Sequence, residues 1–199
     1  MFQTRIFLLL ILCTINFKVF GKYFKGTIYY KNGTEQEGFI DNRVTHAAST
    51  IYFKPLIEGQ KGKKQKVDSD DLIKVVVHYS EDNIWEYHRI PHNVSFGKSI
   101  YIGWLVLIEE GPVRLYGGTV YQWSNMPGDY YHFCIRPGEE YATWIKRGGG
   151  PNCKAKLYID FASNYFSDEE SIVKKIKDGV FSCSETHKLV QEYNKLKSN

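Results

Sequence analysis

The feature that most constrains the fold of this chain is a change in the spacing of its apolar residues near residue 150. Before that point, apolar side chains come in short alternating or continuous runs, such as 72–79 and 100–108, which are typical of β-strands. After it, Leu157, Phe161 and Tyr165 recur every four residues, which is a helical period. Between the two regions, segment 147–151 contains three consecutive glycines and a proline, which interrupt both kinds of element.

Strands followed by helices predict an α+β fold. We expect an antiparallel β-sheet or partly closed β-barrel, followed by a C-terminal cap of two to three helices. The boundaries are a β-rich region at 22–146, a Gly-rich linker at 147–153 and helices at 154–199. The helical segment is too short to bury a core by itself. We therefore expect it to pack on the β region within one domain, 22–199.

Several local signals refine this prediction. Asn32-Gly33 between alternating residues predicts a two-residue hairpin with a type I′ turn. Pro137-Gly138 fits the two central positions of a type II turn. The strand at 51–53 is expected to stop before a proline at position 55, since proline cannot donate to a ladder.

Two further segments carry specific expectations. Ser167 and Glu170 have the spacing of a capping box at the start of a helix. Segment 58–71 contains four closely spaced lysines followed by three aspartates. A solvated loop is the favoured interpretation because the acidic residues follow directly, and a polyanion-binding patch is the alternative.

The first 21 residues have the pattern of a secretory signal peptide. A charged start with Arg5 precedes an apolar run, and Gly21 supplies a small residue for cleavage. We therefore predict a secreted or periplasmic protein with no transmembrane span after cleavage. An uncleaved membrane anchor and a lipoprotein modified at Cys13 are the alternatives; the run is short for a span, and bulky Leu12 precedes the cysteine.

The charge balance bears on partners. The chain has 26 lysine and arginine residues against 22 aspartate and glutamate residues. A protein so close to neutral does not steer nucleic acid or an anionic membrane by its overall field. Export also separates it from most nucleic acid, so no nucleic-acid partner is expected.

Three cysteines remain after the predicted cleavage. An oxidising compartment permits a disulfide, and the odd number leaves one thiol over. The turn near residue 137 and one returning strand bring the linker back beside Cys134, which predicts a Cys134–Cys153 bridge and a free Cys183. Three buried, reduced cysteines are the alternative.

No residue set points to catalysis, and we expect no cofactor and no metal site. His88 and His92 have the i, i+4 spacing of metal ligands on a helix, but their segment has a strand pattern. His132 and Cys134 alternate on one strand face, where a thiol–imidazole pair would lack the alignment for proton transfer.

Aromatic residues are the remaining functional signal. Trp85, Tyr87, Tyr121 and Trp123 would form a binding platform for carbohydrate or peptide if they share an exposed sheet face. Packing in the core is the alternative for each of them, because aromatic side chains dominate core energetics.

Short patterns also resemble an uncharacterised family of small exported proteins of Bacteroidota. They are GTIY at 26–29, NYFSD at 164–168, IVKKI at 172–176 and LVQEYN at 189–194. The resemblance implies export and an architecture of this kind. It also implies a cysteine after the Ser-Asp pair at 167–168, where this chain has Glu169, so no disulfide through that turn is expected.

Together these observations favour an exported, envelope-associated binding or interaction domain that is not an enzyme. Its partner would be an unknown protein, peptide or carbohydrate ligand. A hydrolase with an unrecognised site and a purely structural envelope component are the alternatives. A pocket with clustered histidines and carboxylates would favour the hydrolase, whereas an exposed aromatic face would favour binding.

Overall fold

The computed structural model describes residues 23–93, 99–120, 128–148, 153 and 155–198. The predicted signal peptide at 1–21 and most of the glycine linker lie outside the described residues. The strands are β1 (Tyr23–Tyr30), β2 (Glu35–Asp41), β3 (Thr50–Ile57), β4 (Gln60–Lys61), β5 (Gln65–Asp68), β6 (Leu72–His78), β7 (Ile84–Asn93), β8 (Ile100–Glu109), β9 (Arg114–Val120), β10 (Asp129–Ile135) and β11 (Thr143–Arg147). The helices are α1 (Ala155–Tyr165), α2 (Glu170–Lys177) and α3 (Thr186–Lys197). None of the described helices is long and apolar enough to cross a bilayer.

The strands form one antiparallel sheet, followed by the three helices, so the predicted α+β class is confirmed. The strand order is β11-β10-β9-β8-β7-β6-β1-β2-β3-β4, and β5 pairs with β3. The path of strands does not close. Its β11 end nevertheless curls back to β7, where Ala142 forms a parallel bridge with His92 and the Asn93 N–H donates to Ala142 O at 3.1 Å.

The two faces of the sheet are used differently along its length. We call the face that carries Ile28, Val75 and Tyr87 the inner face, and the opposite one the outer face. In the first half, β1–β7, the inner face curls around a first core with Ile28, Val75 and Trp104. In the second half, β8–β11, most of both faces is buried, but the start of β8 and the inner face near Tyr130 are exposed.

The helices cover the part of the inner face of the second half that carries Leu115, Cys134 and Ile145. Leu115, Cys134 and Ile145 of the sheet pack against Ile176 and Leu189 in a helix core. On the outer face of the same strands, a third core forms from a set that includes Leu105, Tyr116, Phe133 and Trp144. The packing of the helical cap on the β region is thus built from alternate residues of β9–β11.

Polar contacts also attach the cap. The buried amide of Asn194 on α3 accepts from Val113 N–H and donates to Val113 O, both at 2.8 Å. Arg136, at the end of β10, donates to Tyr165 O and to Asp168 Oδ1, both at 2.9 Å. These bonds join the β8–β9 and β10–β11 turns to the helices.

The predicted type I′ turn at Asn32-Gly33 is wrong in type. Gly33 has φ of 83°, but Asn32 has no positive φ, and four residues separate β1 from β2. The Gly33 N–H donates to Tyr30 O at 3.1 Å, and Asn32 Oδ1 accepts from Thr34 N–H at 3.0 Å. The asparagine therefore stabilises the loop through its side chain, and only the glycine adopts the left-handed region. The turn at Pro137-Gly138 fits type II, with φ of 89° at Gly138.

Two element boundaries differ from the predictions. Strand β3 does not stop at Pro55 but runs to Ile57, with Pro55 opposite Gly38 in the register of β2 and β3. Segment 58–71 is not one loop, because it contains β4, β5 and a 3-10 turn. Helix α2 begins after Glu169, so Ser167 and Glu170 do not form the capping box.

The predicted disulfide between Cys134 and Cys153 is also wrong. Cys153 pairs with Cys183, with 6.3 Å between their Cα atoms, and Cys134 is free and buried. The reason is the direction of the side chains. Cys134 points from β10 into the helix core, whereas Cys153 and Cys183 precede α1 and α3 and lie together at the margin of that core.

Candidate functional site: an aromatic cleft on the inner face

A cleft of about 480 Å³ crosses the inner face where the two halves of the sheet meet. Strands β7 to β10 form its floor, and the loop between β2 and β3 forms one wall. We call it the aromatic cleft. Its lining consists of Val44, Thr45, His46, Trp85, Tyr87, Trp104, Val106, Ile108, Gly117, Gly118, Thr119 and Tyr130.

Trp85 is the most exposed aromatic side chain of the first half of the sheet, at 44%. It lies near the start of β7, and its indole Nε1–H donates to Asn83 Oδ1 at 2.7 Å. Its ring contacts that of Tyr79 edge to face at a centroid distance of 5.4 Å. These contacts hold the indole at the cleft mouth while much of its surface stays open to solvent.

Tyr87 belongs to the cleft wall but not to an exposed platform, which corrects the prediction. It lies two residues after Trp85 on the same strand face, yet it is only 5% exposed because it packs into the first core. Its hydroxyl is 3.0 Å from that of Tyr79. Burial raises the pKa of Tyr87, so the phenol stays neutral and acts as a fixed part of the wall.

Tyr130 on β10 provides the second accessible ring, at 37% exposure. It stands opposite Thr119 in the register of β9 and β10 and reaches diagonally over Gly117. A Cβ at position 117 would overlap the Tyr130 hydroxyl and would lie 2.8 Å from Ile108 Cδ1. Glycine therefore lets the phenol ring lie across the floor, and a larger residue here would displace the Tyr130 and Ile108 side chains.

His46 holds the opposite wall in place. Its backbone O accepts from Trp104 N–H at 3.0 Å, along the part of β8 that precedes the β9 pairing. Its imidazole Nε2 lies 2.7 Å from Nε2 of the buried His92. His92 Nδ1 lies 3.1 Å from Ile90 O, which assigns the Nδ1 proton to His92 and makes its Nε2 the acceptor from His46.

The lining of the cleft is uncharged within the described residues, although two cations lie over its rings: Arg89 at 5.8 Å from the Trp104 centroid and Lys146 at 6.0 Å from that of Tyr130. The described lining contains no aspartate, glutamate, lysine or arginine. Burial, together with the nearby His92, lowers the pKa of His46 to about 4, so its imidazole is uncharged near neutral pH. The available groups are ring faces, methyl groups, threonine hydroxyls and backbone.

The other two predicted platform residues, Tyr121 and Trp123, lie outside the described residues. Described residues on either side of that segment, Thr119 and Tyr130, line the cleft. His46 and Gly117 were missed by sequence reasoning. A loop histidine and a strand glycine carry no distinctive pattern, although paired glycines within a strand do signal close approach of another group.

The histidines weighed as metal ligands have other partners. His88 lies 2.8 Å from the Tyr116 hydroxyl through Nδ1 and 2.6 Å from Glu86 Oε1 through Nε2. His92, near the end of β7, contacts His46. Among the described residues, no three histidine, cysteine, aspartate or glutamate side chains form a group that would hold a metal ion.

His132 and Cys134 do lie on one face of β10, as predicted. Both are buried, and His132 Nδ1 has no hydrogen-bond partner within the described structure. Burial lowers the pKa of His132 to about 3 and raises that of Cys134. An imidazole that resists protonation and a thiol that resists ionisation do not make an activated nucleophile.

Comparison with known proteins does not assign the chain to a family: it matches no family model, no curated protein and no solved structure. Function is therefore inferred from the shape and chemistry of the aromatic cleft.

Proposed function

We propose that this chain is an exported, non-enzymatic binding domain of the cell envelope that takes a neutral oligosaccharide in the aromatic cleft. The observation that carries the proposal is the pair of accessible rings, Trp85 and Tyr130, on an uncharged cleft of about 480 Å³. This volume falls within the usual range for ligand sites, about 300–1,000 Å³.

The chemistry of the cleft supports a sugar over a charged ligand. A sugar ring has an apolar face that stacks on an indole or phenol, and hydroxyls that bond to small polar groups. Thr45, Thr119 and neutral His46 supply such groups. A charged ligand would lose water without gaining an opposite charge from the described lining.

Two observations support export. The first 21 residues have the charge and hydropathy pattern of a signal peptide. Independently, Cys153 and Cys183 form a disulfide, and such bonds persist in oxidising compartments and are rare in the cytosol. The resemblance to small exported proteins also implies export.

Calorimetric titration of the full chain with neutral hexasaccharides tests the proposal. Cellohexaose, chitohexaose and laminarihexaose are suitable probes, and we expect at least one to bind. Trp85→Ala should weaken that binding about tenfold, since the stacking surface is lost, and Trp85→Phe should retain most of it. Tyr101→Ala removes another exposed ring, 47% accessible and outside the cleft lining, and should leave binding unchanged.

Four outcomes would contradict the proposal. Failure of all three hexasaccharides to bind would exclude neutral oligosaccharides as the ligand. Equal losses from Trp85→Ala and Tyr101→Ala would place binding elsewhere. Shortened products after incubation would replace binding with the hydrolase alternative, and tighter binding of apolar peptides than of sugars would make the ligand a peptide.

A further inference from the structure

The outer face of the first half carries a second and chemically different surface. Alternation in the strands places lysines and aromatic residues on this face, opposite the apolar first core. Strand β4 and the segment before β5 extend the same face, so their lysines lie over the sheet and not in a free loop. We call this surface the basic outer face, and its basic residues are Lys25, Lys54, Lys61, Lys64, Lys66 and Lys74.

Each aromatic ring of this face has an ammonium group above it. The distances from Lys Nζ to the ring centroid are 4.2 Å for Lys54 over Tyr23, 4.1 Å for Lys61 over Phe39, 4.0 Å for Lys64 over Tyr52 and 4.4 Å for Lys74 over Tyr29. Cation–π contacts of this kind hold a lysine head near the surface. The ammonium groups therefore form a positioned array of positive charges.

Several nearby acidic groups are engaged by other partners. Asp41 pairs with Arg43 at 2.6 Å, and Asp70 pairs with Arg89 at 2.5 Å. The Arg89 guanidinium also lies over the Trp104 ring. Asp68 caps the following 3-10 turn by accepting from the Asp70 N–H at 2.8 Å. Asp68 and Asp70, which follow the lysines in sequence, therefore bind other groups and not the lysines.

The net charge of the basic outer face is positive. Glu35 and Glu37 of β2 and Asp68 of β5 stand on the outer face, and Glu86 on β7 lies 3.4 Å from Lys74. These carboxylates are fewer than the six lysines, and Asp41 is matched by Arg43. The surface is therefore complementary to a chain of negative charges, not to a single ion.

A shallow depression of about 200 Å³ lies in the middle of the basic outer face. Lys25, Phe39, Leu56 and His78 surround it, with Thr27, Glu37 and a cross-strand pair of glycines completing the lining. It thus combines one positive charge with apolar surface and hydrogen-bonding groups. A ring-shaped unit with an acidic substituent would match that combination.

We propose that the basic outer face binds an acidic polysaccharide, a polymer of sugar rings that carry sulfate or carboxylate groups. Lysines act as hydrated point charges, which suits repeated anionic groups without a fixed fork geometry. Single-stranded nucleic acid fits less well, because binding it depends on open aromatic faces for base stacking, and here ammonium groups cover the rings. The inference is independent of what occupies the aromatic cleft.

Binding of dextran sulfate and of uncharged dextran of the same length to the full chain tests the proposal. We use the Trp85→Ala background as well as the native chain, so that a sugar bound in the cleft does not contribute. Dextran sulfate should bind in both backgrounds, and its affinity should fall steeply with added salt. The combined change Lys25→Gln, Lys61→Gln and Lys64→Gln should weaken it by about tenfold.

The matched control removes three exposed lysines from the helices by Lys156→Gln, Lys174→Gln and Lys195→Gln. It changes the net charge equally and should leave binding nearly unchanged. Equal weakening by both triple variants would overturn the proposal in favour of a general charge effect. Equal binding of charged and uncharged dextran would overturn it as well, and tighter binding of a single-stranded DNA oligonucleotide would identify the surface as a nucleic-acid platform.

Discussion

The first and second halves of the sheet are built from similar strands, but they differ in how many faces of those strands are buried. Most of β9–β11 and the middle of β8 are covered on both faces, by the helix core on one side and the third core on the other, whereas the start of β8 is exposed. Strands β1–β7 bury their inner face in the first core and leave most of the outer face to solvent. The comparison indicates that the second half supplies stability, whereas the first half is free to present side chains for binding.

The aromatic cleft lies at the join between these regions, which explains its mixed character. Tyr87 belongs to the first core, Tyr130 stands on a strand of the second half, and His46 bridges the gap along β8. A ligand there would contact both halves of the sheet. Changes at buried positions of the second half should therefore unfold the protein, while changes at open positions of the first half should cost much less stability.

The largest expected effect comes from disrupting the helix core. Leu189 on α3 is fully buried there, so Leu189→Asp places an unpaired charge in an apolar site and also loses packing. The cost should approach the total stability of a domain, about 5–15 kcal/mol, and truncation after Ser184 should act similarly. We expect insoluble or molten protein, measured by near-UV circular dichroism and thermal unfolding.

Val76→Asp is the matched control for the comparison. Val76 lies on the outer face of β6, where it is only partly buried. The variant should fold, with a much smaller loss of stability. If the two aspartate variants were equally destabilised, the two halves would not differ as described, and a soluble truncated protein with an unchanged transition would make α3 an appendage.

The disulfide gives the next largest effect, and it also acts on the second half. Cys153 and Cys183 enclose α1 and α2 in a loop with a sequence separation of 30. In the chain-entropy model, closing such a loop lowers the entropy of the unfolded state and so raises the free energy of unfolding by about 3–4 kcal/mol. The double change Cys153→Ser and Cys183→Ser should lower the free energy of unfolding by about this amount in urea titrations.

Cys134→Ser separates this effect from the loss of any cysteine. Cys134 is free and fully buried in the helix core, so its change should leave peptide mapping of the disulfide unaltered. A Cys134–Cys153 or Cys134–Cys183 peptide in non-reducing maps would contradict the observed pairing. Equal sensitivity of the native chain and the double variant to reductant would show that the bridge does not contribute.

The division into strands and helices was predictable because it depends on periodicity alone. The burial of individual side chains was not predictable. Trp85 and Tyr87 share a strand face, yet they are 44% and 5% exposed, because only Tyr87 packs into the first core. The cysteine pairing failed for a related reason. Distance along the chain favoured Cys134, but its direction into the helix core, set by alternation on β10, decides the outcome.

Acid should destabilise the protein through its buried histidines. Burial lowers the pKa of His132 to about 3 and that of His46 to about 4, below the unfolded value of about 6.5. The unfolded state therefore binds more protons below that value, and stability present above about pH 6.5 is lost as the pH falls toward the folded values. Thermal unfolding between pH 7 and 4 should show a loss of about 3 kcal/mol for each of these two histidines.

His132→Leu tests which half is responsible. His132 Nδ1 has no partner within the described structure, so leucine should be tolerated and should make the pH dependence shallower. An unchanged slope in His132→Leu would show that acid sensitivity arises elsewhere.

The smallest effect is expected at the edge of the first half, in the loop after β1. Gly33 has φ of 83°, and a Cβ there would meet no atom within 4 Å, so any cost of substitution comes from backbone strain and not from packing. Gly33→Val should cost about 1 kcal/mol, because a β-branched residue adopts the left-handed region poorly. Gly33→Asn should cost less, since asparagine tolerates that region. Both should leave oligosaccharide binding intact, as measured by calorimetry beside thermal unfolding. Loss of binding in Gly33→Val without loss of stability would mean that this loop shapes the aromatic cleft from a distance, because Gly33 is not part of the cleft lining.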